Sequence, residues 1–277
     1  MNQTALDKDM IPQPELWKLA LNITSDRMDV GLYPPLAREE MMWRTFPFDP
    51  ATASPLRAIE DIIYDNPLLF SDFKRVDCII DNVPAIPVPA EADEEEAMRL
   101  YSLSTACETD SSDRVELFTT GTVNSRIALV QNRDIRAFLT RTFYNARFDS
   151  SLAALCRYFA GRPDAPLAPA VYAPVCGNRM TLIAIDGRRL LTANEFRFEK
   201  PIDAIYYIIA SMSRLGLDIR TTDAFVSGAS DPESEFGTLL RRFLPQAAPI
   251  PFPTLRYRAT KSTLLAPLPL TIRPLCE

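Results

Sequence analysis

Carboxylates set beside glycines are the residues here most able to do chemistry. Asp29-Val30-Gly31 and Asp186-Gly187 each place an acid next to a residue without a Cβ. A residue without a Cβ lets backbone amides approach an anion closely. Both have simpler readings. Asp29 falls within a strand pattern with an edge glycine, and Asp186-Gly187 is the strongest hairpin-turn signal in the chain. A third stretch, Ser227-Gly228-Ala229-Ser230, follows the apolar Ala224-Phe225-Val226. Its side chains are all small, so a base or ribose could approach the backbone, although a plain strand-to-helix turn reads the same way. Asp77 and Asp81 flank a further strand and could point into an interdomain cleft, with solvent-facing or capping roles the simpler expectation.

Composition removes several chemistries. The 277 residues contain no histidine, which excludes Ser-His-Asp and Cys-His nucleophiles and His-ligated metals. Five scattered cysteines form no C-x-x-C pair, so zinc sites and a disulfide framework are not expected. The 24 prolines outnumber 8 glycines, and neither G-x-x-x-x-G-K-[ST] nor G-x-G-x-x-G occurs. With 30 basic and 36 acidic residues the net charge is −6, which argues against nucleic-acid partners. The absence of an apolar leader, of a membrane-length apolar run and of a basic amphipathic helix makes a soluble, cytoplasmic protein the expectation, with no direct membrane binding.

The elements that would position these residues can be read from period and punctuation. Leu16–Ile23, Met28–Tyr33 and Glu40–Phe46 read as three strands, the first two a hairpin. Ser54-Pro55 opens a helix, and Val76–Ile80 reads as a short buried strand. The Pro-rich 81–89 segment suits a loop or an edge. A helix over 94–103, strands over 115–119 and 126–131, and helices over 134–144 and 151–159 follow. The three prolines in 161–169 mark a linker. Beyond it, 170–176, 180–185 and 189–198 read as strands and 201–215 as a helix stopped by Gly216. A strand over 223–226 and a helix opening at Asp231-Pro232 and running to Phe243 complete the pattern. Residues 256–262 suit a short element and 264–274 an extended tail.

The chain is therefore two βββαβ units in series, an α/β architecture. This layout resembles the actin-like ATPase superfamily, the ribonuclease-H-like fold of actin, sugar kinases and the large heat-shock chaperones. Within it the chain resembles a Bacteroidetes family of unknown function. The resemblance implies two lobes around a cleft, 1–165 and 166–277. It also implies two Asp-x-Gly-type hairpins gripping phosphates. At the first, Asn22 stands at the acid position and Thr24 at the glycine. At the second, Ala173 replaces the acid and Pro174 removes an N–H. Ser227, Gly228, Ala229 and Ser230 match the nucleoside-side turn.

Those departures imply a non-catalytic scaffold with a protein partner, and a homodimer as one form of association. The alternative is a weak ATP-binding protein or slow ATPase, with ATP and magnesium as cofactors and Asp26, Asp29 or Asp186 near the metal. A cleft filled by Tyr172, Pro174 and neighbouring side chains would settle against ATP. Val83–Pro89 and the tail are candidate partner segments, with packing against their own lobe the simpler expectation.

Overall fold

Residues Leu19, Leu21 and Ile23 alternate along β1 (Lys18–Thr24) with Lys18, Ala20 and Asn22. All but Lys18 are buried. A strand covered on both faces belongs inside a sheet, and β1 is the central strand of one. β2 (Arg27–Tyr33) and β3 (Met42–Pro47) continue from it antiparallel. β4 (Arg75–Asp81) and β8 (Ala146–Ser150) extend the other side in parallel. The order is β3-β2-β1-β4-β8. The computed structural model describes residues 5–36, 39–52, 54–105, 113–227, 234–250, 258 and 265–275.

Helix α1 (Pro55–Tyr64) makes the crossover between β3 and β4. Its cap is as the sequence writes it: Ser54 Oγ accepts from Arg57 N at 3.2 Å, and Pro55 opens the first turn. Ile59 and Ile63 pack with Leu19, Leu21 and Ile23. Between β4 and β8 the chain makes a side layer. Strands β5 (Ala85–Pro89), β6 (Val115–Thr119) and β7 (Ser125–Val130) form a sheet of order β5-β7-β6. The Pro-rich β5 takes an edge, as its missing donors require. Helix α2 (Glu94–Thr105) covers this sheet, and α3 (Arg133–Thr142) returns to the main one through Ile135, Phe138 and Leu139.

The second unit repeats the first. β9 (Ala170–Ala173), β11 (Arg179–Asp186) and β12 (Arg189–Arg197) are antiparallel neighbours. Helix α5 (Pro201–Arg214) leads to β13 (Asp223–Val226), which pairs parallel with β9. Helix α6 (Glu235–Phe243) leads to β14 (Ala248–Pro249), parallel to β13. The resulting order, β12-β11-β9-β13-β14, has the third-second-first-fourth-fifth pattern of the first sheet. The expected strand 170–176 is broken at Pro174 into β9 and β10 (Val175–Cys176), because proline cannot donate to the ladder. Val171, Ala173 and Leu182 meet α5 and α6 on one face.

Two helices fill the space between the sheets. Helix α4 (Ser151–Ala160) follows β8 and is buried nearly all round, packing Leu155 and Phe159 against Tyr172, Ile183 and Ile185 of the second sheet. Helix α7 (Leu268–Ile272) comes from the far end of the chain and packs on β1 and β2 of the first. There Leu270 meets Ala20, Ile79 and Tyr33, and Tyr33 Oη donates to Leu270 O at 2.7 Å. The glycine of Asp29-Val30-Gly31 makes room for this contact. A Cβ on Gly31 would lie 3.0 Å from Tyr33 Oη and 3.4 Å from Leu270 Cδ2. The extended tail expected over 264–274 is thus corrected to a packed helix. Pro269 sits in its first turn, where a missing N–H costs nothing.

Candidate functional site

The β1–β2 and β10–β11 hairpins point at one another across a cleft between the lobes. The cavity there measures about 720 Å³. Asn22, Asp29 and Thr45 line one side and Pro174, Cys176 and Arg179 the other, with Leu268 and Thr271 of α7 along the wall.

Side chains bridge the two hairpins. Arg27 Nη2 lies 3.3 Å from Cys176 Sγ, and Arg197 Nη2 donates to Ser25 Oγ at 3.0 Å. Deeper in, Arg179 Nη2 of β11 donates to Asp81 Oδ1 of β4 at 2.9 Å and lies 3.4 Å from Glu195 Oε2 of β12. Burial, and then the charge of Glu195, push the Asp81 carboxyl up to about 8, with Arg179 opposing. Burial lowers the Arg179 pKa, but the charges of Asp81 and Glu195 outweigh it and hold it above the ordinary arginine value.

At the first hairpin, Asn22 Nδ2 donates to Asp29 Oδ2 at 3.1 Å. Asp29 Oδ1 accepts from Thr45 Oγ1 at 2.7 Å and from Arg27 Nε at 3.2 Å. Asp29 is wholly buried and its carboxylate is engaged by three neighbours. Among the described residues Asn22 Oδ1 has no hydrogen-bond partner, although the residue is 2% exposed. Thr24 Oγ1 is held by the turn itself, donating to Asp26 Oδ1 at 2.8 Å and accepting from Arg27 N at 3.1 Å.

A second polar cluster lies beneath the cleft. Arg273, just after α7, donates to Asp77 Oδ1 of β4 at 2.9 Å and to Asp149 Oδ2 of β8. Arg75 Nε meets Asp77 Oδ2 at 2.8 Å, and Arg157 of α4 also donates to Asp149 Oδ2. Asp77 and Asp149 are 1% and 4% exposed. Burial lowers the Arg273 pKa, but its hydrogen bond to Asp77 and the charges of Asp77 and Asp149 raise it above the usual arginine value. Five charges, from β4, β8, α4 and the residue after α7, thus tie α4 and α7 to the first sheet.

The sequence expectations divide here. Ser227 lines the cleft, and its N–H donates to Ala173 O at 3.1 Å. Gly228, Ala229 and Ser230, and the expected helix start at Asp231-Pro232, lie outside the described residues; α6 begins at Glu235 with Ser234 as its cap. Pro174 reaches the cleft, but Tyr172 does not. Its ring stacks between Phe159 at 4.2 Å and Phe225 at 5.2 Å inside the second core. Asp77 and Asp81 do not face solvent: one is in the ion cluster and the other in the cleft. Asp186 ends β11 at the hairpin turn, where Gly187 has φ +54°, away from the cleft-lining residues. Arg179 and Glu195 carried no local signal, since their partner Asp81 is about a hundred residues away in sequence. Among the described residues no group of three or more His, Cys, Asp or Glu could hold a metal ion. No described helix is long and apolar enough to cross a membrane.

Two sheets with one strand order, facing a shared cleft and joined by crossing helices, define the actin-like ATPase fold. A Bacteroides thetaiotaomicron protein of actin-like ATPase fold and unknown function superposes with a TM-score of 0.74 at 18% identity, over 89% of this chain and 94% of its own. The PilM–PilN type IV pilus biogenesis complex matches at 0.46, with 13% identity over 86% and 89%. The ethanolamine utilization protein EutJ of Carboxydothermus hydrogenoformans matches at 0.41, with 9% identity over 89% and 87%. No curated protein matches. The chain belongs to the family described as Protein of unknown function (DUF3822), whose profile matches residues 7–247.

Proposed function

We propose that this protein is a non-catalytic actin-like scaffold in which the phosphate-gripping hairpins hold each other instead of a nucleotide. Its lobes are divided as 1–165 and 166–277, and it acts in the cytoplasm on a protein partner, with homodimer formation as one mode. The observation that carries this reading is the set of bridges from Arg27, Arg179 and Arg197 across the cleft. Arg27 to Cys176 joins the two hairpins, Arg179 to Asp81 lies deeper in, and Arg197 of β12 reaches the turn of the first hairpin at Ser25. Asn22 and Ala173 supply no acid for a magnesium ion, and Pro174 supplies no amide. The charge balance points the same way. Among the described residues the cleft is lined by Asp29 and Glu195 against Arg27 and Arg179, already paired with each other, which leaves no spare cation for a triphosphate.

One observation favours the alternative of weak ATP binding or slow hydrolysis: a cavity of about 720 Å³ remains beside Ser227. Titration calorimetry and thermal shift with Mg-ATP separate the two. The scaffold reading expects neither heat nor shift. A magnesium-dependent rise in melting temperature at micromolar nucleotide overturns it, because a ligand for the native state must stabilise that state. In that case replacing Gly228 by a bulky residue should abolish the rise.

A further inference from the structure

We infer that the interlobe cleft is a binding site for a small organic monocation, a primary ammonium carried on an apolar body. The inference rests on the reading that the cleft does not take a nucleotide. Its polar end is rich in acceptors. Asn22 lines the cleft, and its Oδ1 is buried there without a hydrogen-bond partner among the described residues. The amide cannot be turned over without loss, because its nitrogen already donates to Asp29. A buried acceptor left empty costs free energy that an incoming N–H would recover.

Asn22 and Asp81 lie on one face of the first sheet. Asn22 is in register with Ile79, and Asp81 follows Ile79 by two residues. Both residues line the cleft from this face, with Glu195 among the residues of the other sheet that line it. Both cleft guanidiniums are already engaged, Arg27 with Asp29 and Arg179 with Asp81 and Glu195. The remaining capacity is for a donor of positive charge. The rest of the wall is apolar, from Leu155, Met180, Val226, Ile250 and Leu268. An ammonium head on an aliphatic or aromatic body fits both parts.

A coupled proton follows from the same groups. Asp81 faces Glu195 and Arg179, with Arg27, Asp29 and Cys176 on the neighbouring strands. With its carboxyl pushed up to about 8, Asp81 holds a proton at neutral pH. An ammonium beside it favours the carboxylate and expels that proton.

The probe is n-hexylammonium, with 1-hexanol as its uncharged and hexanoate as its oppositely charged counterpart. Binding is followed by the fluorescence of Trp43, a cleft-lining residue, and by calorimetry in phosphate and HEPES buffers at pH 7. Saturable binding of hexylammonium is expected, with 1-hexanol weaker, hexanoate silent, and heat that depends on the buffer because a proton is released. Asp81→Asn should weaken binding about tenfold, the loss of one charge-assisted contact, and remove the buffer dependence. Asn22→Leu should weaken it without changing the proton count. Melting curves for both variants show that the fold is kept. No response to hexylammonium, or an equal response to 1-hexanol, overturns the inference. A response to Mg-ATP in the same assay overturns instead the nucleotide-free reading on which it rests, so the two failures are distinct.

Discussion

Replacing Arg273 with methionine removes the charge that joins the chain end to the first sheet. Methionine keeps much of the apolar stem, so the change isolates the guanidinium. Breaking a buried ion pair from one side costs about 3–5 kcal/mol, because the partner stays buried and uncompensated. Here two carboxylates lose a partner, but each keeps another, Arg75 at Asp77 and Arg157 at Asp149. The expected loss therefore falls near the lower end, about 3 kcal/mol. For a chain of this size that lowers the melting temperature by roughly 6–12 °C. Urea unfolding followed by circular dichroism gives the free energy, and hydrogen exchange gives the location. Protection should fall first in residues 268–275, where Arg273 is anchored. Arg157→Met removes its bonds to Asp149 and to Thr119 O from a more exposed position and should cost less. If Arg273→Met unfolds within about 0.5 kcal/mol of the parent, as an ordinary surface substitution does, the cluster is not what holds α7 in place.

Asp81 sets a pH dependence. Its folded pKa of about 8 lies above the ordinary carboxylate value of 3.8, so the folded state binds the extra proton between those limits. Its contribution is present below the lower value and is lost as pH rises toward the upper one, with a slope of at most about 1.4 kcal/mol per pH unit. Asp81→Asn should flatten the stability-versus-pH curve between pH 5 and 8; an unchanged difference curve would refute this assignment. Gly31→Val should push Leu270 and Tyr33 apart and raise exchange in α7 while leaving α5 protected. Phe159→Ala opens a void beside Tyr172 and should cost about 3–5 kcal/mol in urea unfolding. Ser54→Ala removes the cap of α1 and should cost about 1 kcal/mol.

Much of the fold was legible because most strands and helices write their burial in apolar period. The β1–β2 and β11–β12 hairpins, the capped α1 and the α5 stop at Gly216 all lie where the sequence puts them. Strand β8 did not announce itself. Its last two positions are Asp149 and Ser150, buried for a salt bridge and a helix cap, so its inward face reads as polar. Helix α7 was hidden by Pro267, Pro269 and Pro274, which suggest extension unless a helix start is recognised. The site was harder still. Ser227 could be proposed from local spacing, but the contacts that shape the cleft join residues far apart in sequence. Arg27 and Cys176 come together only after both hairpins have formed and the lobes have met.

The crossing of α7 onto the first sheet has a consequence during translation. The sheet's last strand, β8, ends at Ser150, but the helix that covers Ala20 and Gly31 begins at Leu268. At about 5–20 residues per second, synthesis of the intervening segment takes roughly 6–24 s. Throughout that interval the nascent first lobe shows the ribosome exit an open apolar face, with Asp77 and Asp149 lacking Arg273. Helix α7 therefore closes a sheet made well before it, and a molecule released before Leu268–Ile272 is synthesised leaves with that face of the sheet uncovered.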